Sequence, residues 1–169
     1  MPMLNLHLPD EAATQCLGAV LAETAPVSGW LALRGDLGAG KTTLVRAFLR
    51  ALGYAGRVVS PTYTLVETYE ITGKTSERRI AHYDLYRMND PEELEWMGAR
   101  EDFAGDTLCL VEWPERGEGV LPPPDLEIHL LYIDESRRAQ MDAHSVAGDA
   151  WLNEVKNVLK KNNISSSLD

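Results

Sequence analysis

A chain of 169 residues with 44% hydrophobic and 25% charged content has the make-up of an ordinary globular domain built on one core. Its 26 acidic against 16 basic residues, a formal net charge of -10, exclude a broad basic surface that grips nucleic acid unaided. Cys16 and Cys109 lie far apart, belong to no C-x-x-C or Cys/His cluster and read as reduced packing residues; no run approaches the ~18 apolar residues of a membrane span.

The opening residues lack a positively charged stretch followed by an apolar run, so a cytoplasmic protein is expected. LNLHL (4–8) alternates as a short strand. Asp10 is placed to cap a helix with Ala13, Leu17, Val20 and Leu21 on one face. GWLALRG (29–35) is an apolar strand running into a glycine-rich loop, and KTTLVRAFLRALG (41–53) is a helix with Leu44, Ala47, Phe48 and Ala51 on one stripe. RVVSPTYTLVETYEI (57–71) and IAHYDLYRM (80–88) alternate around the polar turn TGKTSERR and predict a long antiparallel hairpin. Asp90 with Glu93 forms a capping box, with Pro91 at the first helical position of the next helix. TLCLVEW (107–113) reads as a buried strand, and LEIHLLYI (126–133) and AQMDAHSV (139–146) as a second hairpin around DESRR. A last helix uses Trp151, Leu152, Val155, Val158 and Leu159. The chain is expected to be a single domain over 1–161 with a frayed tail, 162–169.

Gly35, Gly40, Lys41 and Thr42 match G-x-x-x-x-G-K-[ST], with a strand before and a helix after. The glycines let backbone N–H groups of Asp36, Leu37, Gly38, Ala39 and Gly40 close around phosphate oxygens beside the positive end of the helix, with Thr43 following in its first turn. Lys41 is expected to reach the outer phosphates and Thr42 to offer its hydroxyl to Mg²⁺. A bound triphosphate with its metal also needs a carboxylate at a strand end beside the loop. Two residues compete for that place: Asp84 in HYDLY, on the face of His82 and Tyr86, and Glu112 at the end of LCLVE. Both are retained. Asp84 is expected in the metal shell, and Glu112 either on the metal, directly or through water, or orienting the attacking water.

SPTYT (60–64) presents hydroxyls from Ser60, Thr62 and Tyr63 on a loop stiffened by Pro61; it reads either as a γ-phosphate switch or as plain strand, which Thr and Tyr favour. Asp102 to Gly105 fits D-x-x-G but follows a helix, and no N-K-x-D occurs, so guanine specificity is unsupported. His7, His129 and His144 are assigned to strands as structural residues. Arg137 and Arg138, in the DESRR turn, either touch a nucleotide or partner or are simply solvated.

GDLGAGKTT, SPTYTLVETY, HYDLYRMNDPEELEWMG and VEWPE, in that order between about Leu31 and Glu115, resemble the bacterial TsaE family, formerly YjeE. The resemblance implies an α/β fold of the P-loop NTPase type: a three-layer sandwich around a mixed sheet with a parallel centre and antiparallel edges. It further implies an ATP- and Mg²⁺-dependent ATPase required for threonylcarbamoyladenosine, the modified base beside the anticodon in tRNAs that read codons beginning with A. Such a protein acts with TsaD and TsaB, meets tRNA only through that complex, and is expected to be a monomer alone. Lys41 and Thr42 then correspond to the phosphate and Mg²⁺ residues, Asp84 and Glu112 to the metal-site acids, Thr62 to the switch residue and Trp113 to a functional aromatic. Two other readings stand beside it: a small P-loop kinase, for which an arginine-bearing lid is poorly supported, and a nucleotide-dependent docking module without turnover.

Overall fold

Alternation in MLNLHL forms β1 (Met3–Leu8), whose Leu4, Leu6 and Leu8 point into the core. Asp10 then caps α1 (Glu11–Thr24) by accepting from the Ala13 amide at 2.9 Å. The run GWLALR forms β2 (Gly29–Arg34), which leads into the glycine loop and α2 (Lys41–Ala51). β3 (Val66–Thr72) and β4 (Glu77–Asp84) pair antiparallel, two short helices α3 (Glu93–Trp96) and α4 (Ala99–Ala104) follow, and TLCLVE makes the wholly buried β5 (Thr107–Glu112). A single 3₁₀ turn (Pro114–Gly117) precedes the hairpin of β6 (Leu126–Ile133) and β7 (Ser136–Ala143). α5 (Val146–Lys161) and the two-residue β8 (Ser166–Ser167) complete the elements of this computed structural model, which describes residues 3–73, 77–164 and 166–167.

The strands form one sheet in the order β3-β4-β5-β2-β6-β7-β1-β8. Its centre, β4-β5-β2-β6, is parallel and its outer pairs are antiparallel. Both faces are covered at the two central strands, so β2 and β5 are continuously apolar, whereas β6 at the parallel margin alternates. Leu31, Leu33, Leu110 and Ile128 face α1, α2 and α5, whereas Ala32, Tyr83, Cys109 and Val111 face the layer that holds Leu94 and Ala99. The α/β fold expected from the sequence is therefore the one observed. Among the described residues no helix is long and apolar enough to cross a membrane.

Several local expectations are corrected. Residues 57–65 are not strand: Pro61 lacks an N–H for a ladder, its carbonyl accepts from Leu65 N at 2.8 Å, and Leu65 turns the chain at φ 65°. α2 buries Leu44, Val45, Phe48 and Leu49, so Ala51 is exposed and the apolar stripe is rotated by one residue. Cys109 is buried as expected, but Cys16 is exposed on α1. The second hairpin turns on Asp134 and Glu135, which places Arg137 and Arg138 in β7 rather than in the turn. β7 ends at Ala143; His144 lies outside it and Ser145 caps α5, taking the Gly148 amide at 2.9 Å. At the other end Ser166 and Ser167 pair with Leu6 and Asn5, where the sequence suggests fraying; Lys74 to Ser76 of the first hairpin turn lie outside the described residues.

Asp125 ties the starts of three elements together. Its carboxylate accepts from Trp30 N at 2.8 Å and from Ser145 Oγ at 2.6 Å, and its carbonyl accepts from His144 N at 2.9 Å. The fit is close enough that a Cβ on Gly148 would lie 1.7 Å from the Asp125 carbonyl oxygen. Asp125→Ala strands the Trp30 amide and loosens the α5 cap, and is expected to cost about 2–3 kcal/mol in urea denaturation. A loss under ~0.5 kcal/mol would mean that water takes over these bonds.

Candidate active site

β2 ends beside the N-terminus of α2, and the connection must turn sharply at both ends. Gly35 allows the first turn because a Cβ there would lie 2.7 Å from the Leu130 carbonyl oxygen. Gly40, at φ 110°, supplies the left-handed residue from which α2 starts. Ala39 N donates to Asp36 O at 3.1 Å, closing the loop. The β6–β7 hairpin braces it from outside: Tyr132 Oη donates to Leu37 O at 2.7 Å and Arg137 Nη2 to Gly38 O at 3.4 Å, with the Arg137 guanidinium 3.9 Å from the Tyr132 ring centroid.

Lys41 is 5% exposed and curls back over the loop, donating to the carbonyls of Gly35 and Asp36 at 2.5 and 2.9 Å. Its Nζ also lies 4.3 Å from the Trp113 ring centroid. Trp113 holds that place because it adopts φ 57° at the end of β5, turning its ring across the loop against Tyr86. Burial pushes the Lys41 ammonium below its ordinary range, while Glu112, Asp84, Glu115 and Asp36 pull it back up.

The parallel register of β4 and β5 sets Asp84 directly opposite Glu112, next to the strand that carries the loop. Both acids are buried, at 8% and 2% exposure. Thr42 Oγ1 donates to Glu112 at 2.9 Å (Oε1) and 3.2 Å (Oε2), and Tyr86 N donates to Asp84 Oδ1 at 3.1 Å. Burial first and the Glu112 charge second raise the Asp84 carboxyl above the usual carboxylate range; the Tyr86 amide, His82 and Lys41 act in the opposite sense. Two acids pressed together in this way are poised for a cation. Among the described residues no three His, Cys, Asp or Glu side chains form a metal cage. Two carboxylates and a hydroxyl instead suit a hard ion that keeps water and phosphate oxygens as ligands, as Mg²⁺ does.

Leu37, Gly38, Gly40, Lys41, Thr42, Thr43, Thr62, Asp84, Glu112 and Trp113 line one cavity of ≈ 350 Å³. Asp36 and Ala39 shape the loop without lining it. Thr62 stands at the mouth, its Oγ1 2.8 Å from Ser60 Oγ. Behind the loop a second cavity of ≈ 140 Å³ lies between the start of α1 and the β6–β7 turn, lined by Asp10, Thr14, Glu135 and Arg137, and it shares Gly38, Gly40 and Thr43 with the first. Arg87 is passed over by sequence reasoning, and His82 is placed there on the face of Asp84 but given no role. Arg87 lines the cavity and covers the Tyr63 ring at 4.8 Å. His82 carried the one available signal, its period-two spacing from Asp84.

The model of the Threonylcarbamoyl adenosine biosynthesis protein TsaE family matches residues 8–140. A Haemophilus influenzae protein named tRNA threonylcarbamoyladenosine biosynthesis protein TsaE is 44% identical over 153 residues, 88% of this chain and 94% of that protein. A Bacillus subtilis protein of the same name is 39% identical over 138 residues, 82% of this chain and 84% of that one. The crystal structure of Bacillus subtilis YdiB superposes with a TM-score of 0.77 at 29% identity, over 92% of this chain and 95% of that one. The matched residues contain the phosphate loop, the SPTYT loop and both buried acids, and the chain belongs to the TsaE family.

Proposed function

We propose that this protein is a magnesium-dependent ATPase that serves threonylcarbamoyladenosine synthesis on tRNA, working in the cytoplasm with TsaD and TsaB and meeting tRNA through them. The observation that carries the proposal is the convergence of Lys41 and Thr42 with the Asp84–Glu112 pair in one cavity beside a loop of backbone donors. Lys41 exchanges its two carbonyl partners for phosphate oxygens and neutralises charge developing there. Thr42, Asp84 and Glu112 hold the metal, which supplies electrostatic stabilisation of the transferring phosphoryl group. Glu112 also has the reach to orient a water, and Thr62 approaches when the SPTYT loop is ordered over the site. With the γ end at the acids, the nucleoside end leaves past Thr43 into the second cavity, where Arg137 offers a flat cationic face.

The SPTYT loop is held by few bonds of its own, so turnover by the isolated protein is expected to be slow. Phosphate release from ATP with Mg²⁺, measured alone and with the TsaB–TsaD pair, tests the reading. Marked stimulation by the pair supports it; equal rates remove the partner assignment and turn attention to phosphorylation of small acceptors.

A further inference from the structure

We propose that His82 is a positioning residue, which locks the Glu112 carboxylate in the orientation that faces Thr42. His82 lies on β4 two residues before Asp84 and is fully buried. Its Nε2 is 2.6 Å from Glu112 Oε2, while Thr42 Oγ1 is nearer to the other oxygen, at 2.9 Å from Oε1 against 3.2 Å from Oε2. An ionised carboxylate can only accept, so Nε2 carries the hydrogen and donates it. A line of contacts thus runs from β4 through β5 to the first turn of α2: imidazole, carboxylate, hydroxyl.

The other ring nitrogen argues that this bond is what the residue contributes. Nδ1 is buried and without a hydrogen-bond partner among the described residues. A ring serving only to fill space here would be less costly without nitrogen, because a buried polar atom without a partner is a net penalty. The fold accepts that penalty and receives in return one donor aimed at Glu112. Without that donor, the Thr42 hydroxyl alone would hold the buried carboxylate against the pull of the Lys41 charge. Pinned at Oε2, Glu112 keeps Oε1 turned to Thr42, so the carboxylate and hydroxyl meet an incoming cation already arranged. Donors behind a metal-binding carboxylate typically change metal affinity 10- to 100-fold when lost.

The proposal rests on Thr42 and Glu112 being metal residues, and the test separates the two ideas. A fluorescent ADP analogue is titrated with MgCl₂ to obtain the Mg²⁺ concentration at half-saturation, and each variant is also melted without ligand. His82→Gln places its amide N–H where Nε2 stands, whereas His82→Asn places it at the Nδ1 position, too short to reach Glu112. Asn is expected to raise the Mg²⁺ requirement at least ~10-fold and Gln to stay within ~3-fold of wild type, with both melting alike. Equal Mg²⁺ requirements for Asn, Gln and wild type would overturn the proposal, as would a shift that follows melting temperature in both variants. Glu112→Gln is run alongside: if it leaves the Mg²⁺ requirement unchanged, the metal assignment itself fails; if it raises the requirement while His82→Asn does not, only the role of His82 fails.

Discussion

Lys41→Ala is expected to lower ATP turnover by about 10³, equivalent to ~4 kcal/mol of transition-state stabilisation, while leaving the fold in place. Among the described residues the side chain is the one cation buried in the cavity and has no carboxylate bonded to it: its partners are two loop carbonyls and an aromatic face. Those contacts are weak enough to be surrendered to phosphate. Burial already disfavours the ammonium, so the truncated protein should melt within a few degrees of the parent. Phosphate release and nucleotide binding, with circular dichroism as the control for folding, make the check. Near-normal turnover in a folded variant would refute the assignment of the loop.

Glu112→Gln is expected to cost 10²- to 10³-fold in turnover for a different reason. The amide keeps the volume of the acid; its oxygen in the Oε2 place still accepts from His82 and its NH₂ in the Oε1 place donates to the Thr42 hydroxyl, so both contacts have a route to survive. What is lost is the negative charge beside Asp84, and with it half of the anionic pair that attracts the cation. High Mg²⁺ should restore part of the activity of this variant and none of that of Lys41→Ala, since only the first defect lies in metal affinity. Turnover measured across a Mg²⁺ series distinguishes them, and identical Mg²⁺ profiles for the parent and Glu112→Gln would exclude metal binding by this acid.

The phosphate loop was legible in the sequence because its chemistry is backbone chemistry: the glycines and the lysine are required by residue type and spacing alone. Asp84 and Glu112 could be nominated one at a time, as acids at strand ends. Their adjacency could not be read, because it is created by the parallel register of β4 on β5, between segments separated by two helices. His82 was out of reach for the same reason, since its partner lies on the neighbouring strand. SPTYT was ambiguous because Thr and Tyr favour strands, and the backbone decision fell to Pro61 and to the left-handed Leu65. The apolar stripe of α2 was displaced because small alanines are tolerated on either side of a helix; Val45 and Leu49, buried against the sheet, define the face instead.

The family model ends at residue 140, yet the hydrophobic core does not. Trp151, Leu152, Val155 and Leu159 of α5 cover the same face of the sheet as α1 and α2, and Trp151 Nε1 reaches Thr24 Oγ1 at 3.2 Å. The portion of the chain that the family model covers is thus smaller than the portion needed to exclude water from the sheet. A fragment trimmed at residue 140 would retain every group around the phosphate loop and still leave bare the part of the sheet that α5 covers, an invitation to aggregation rather than a minimal enzyme.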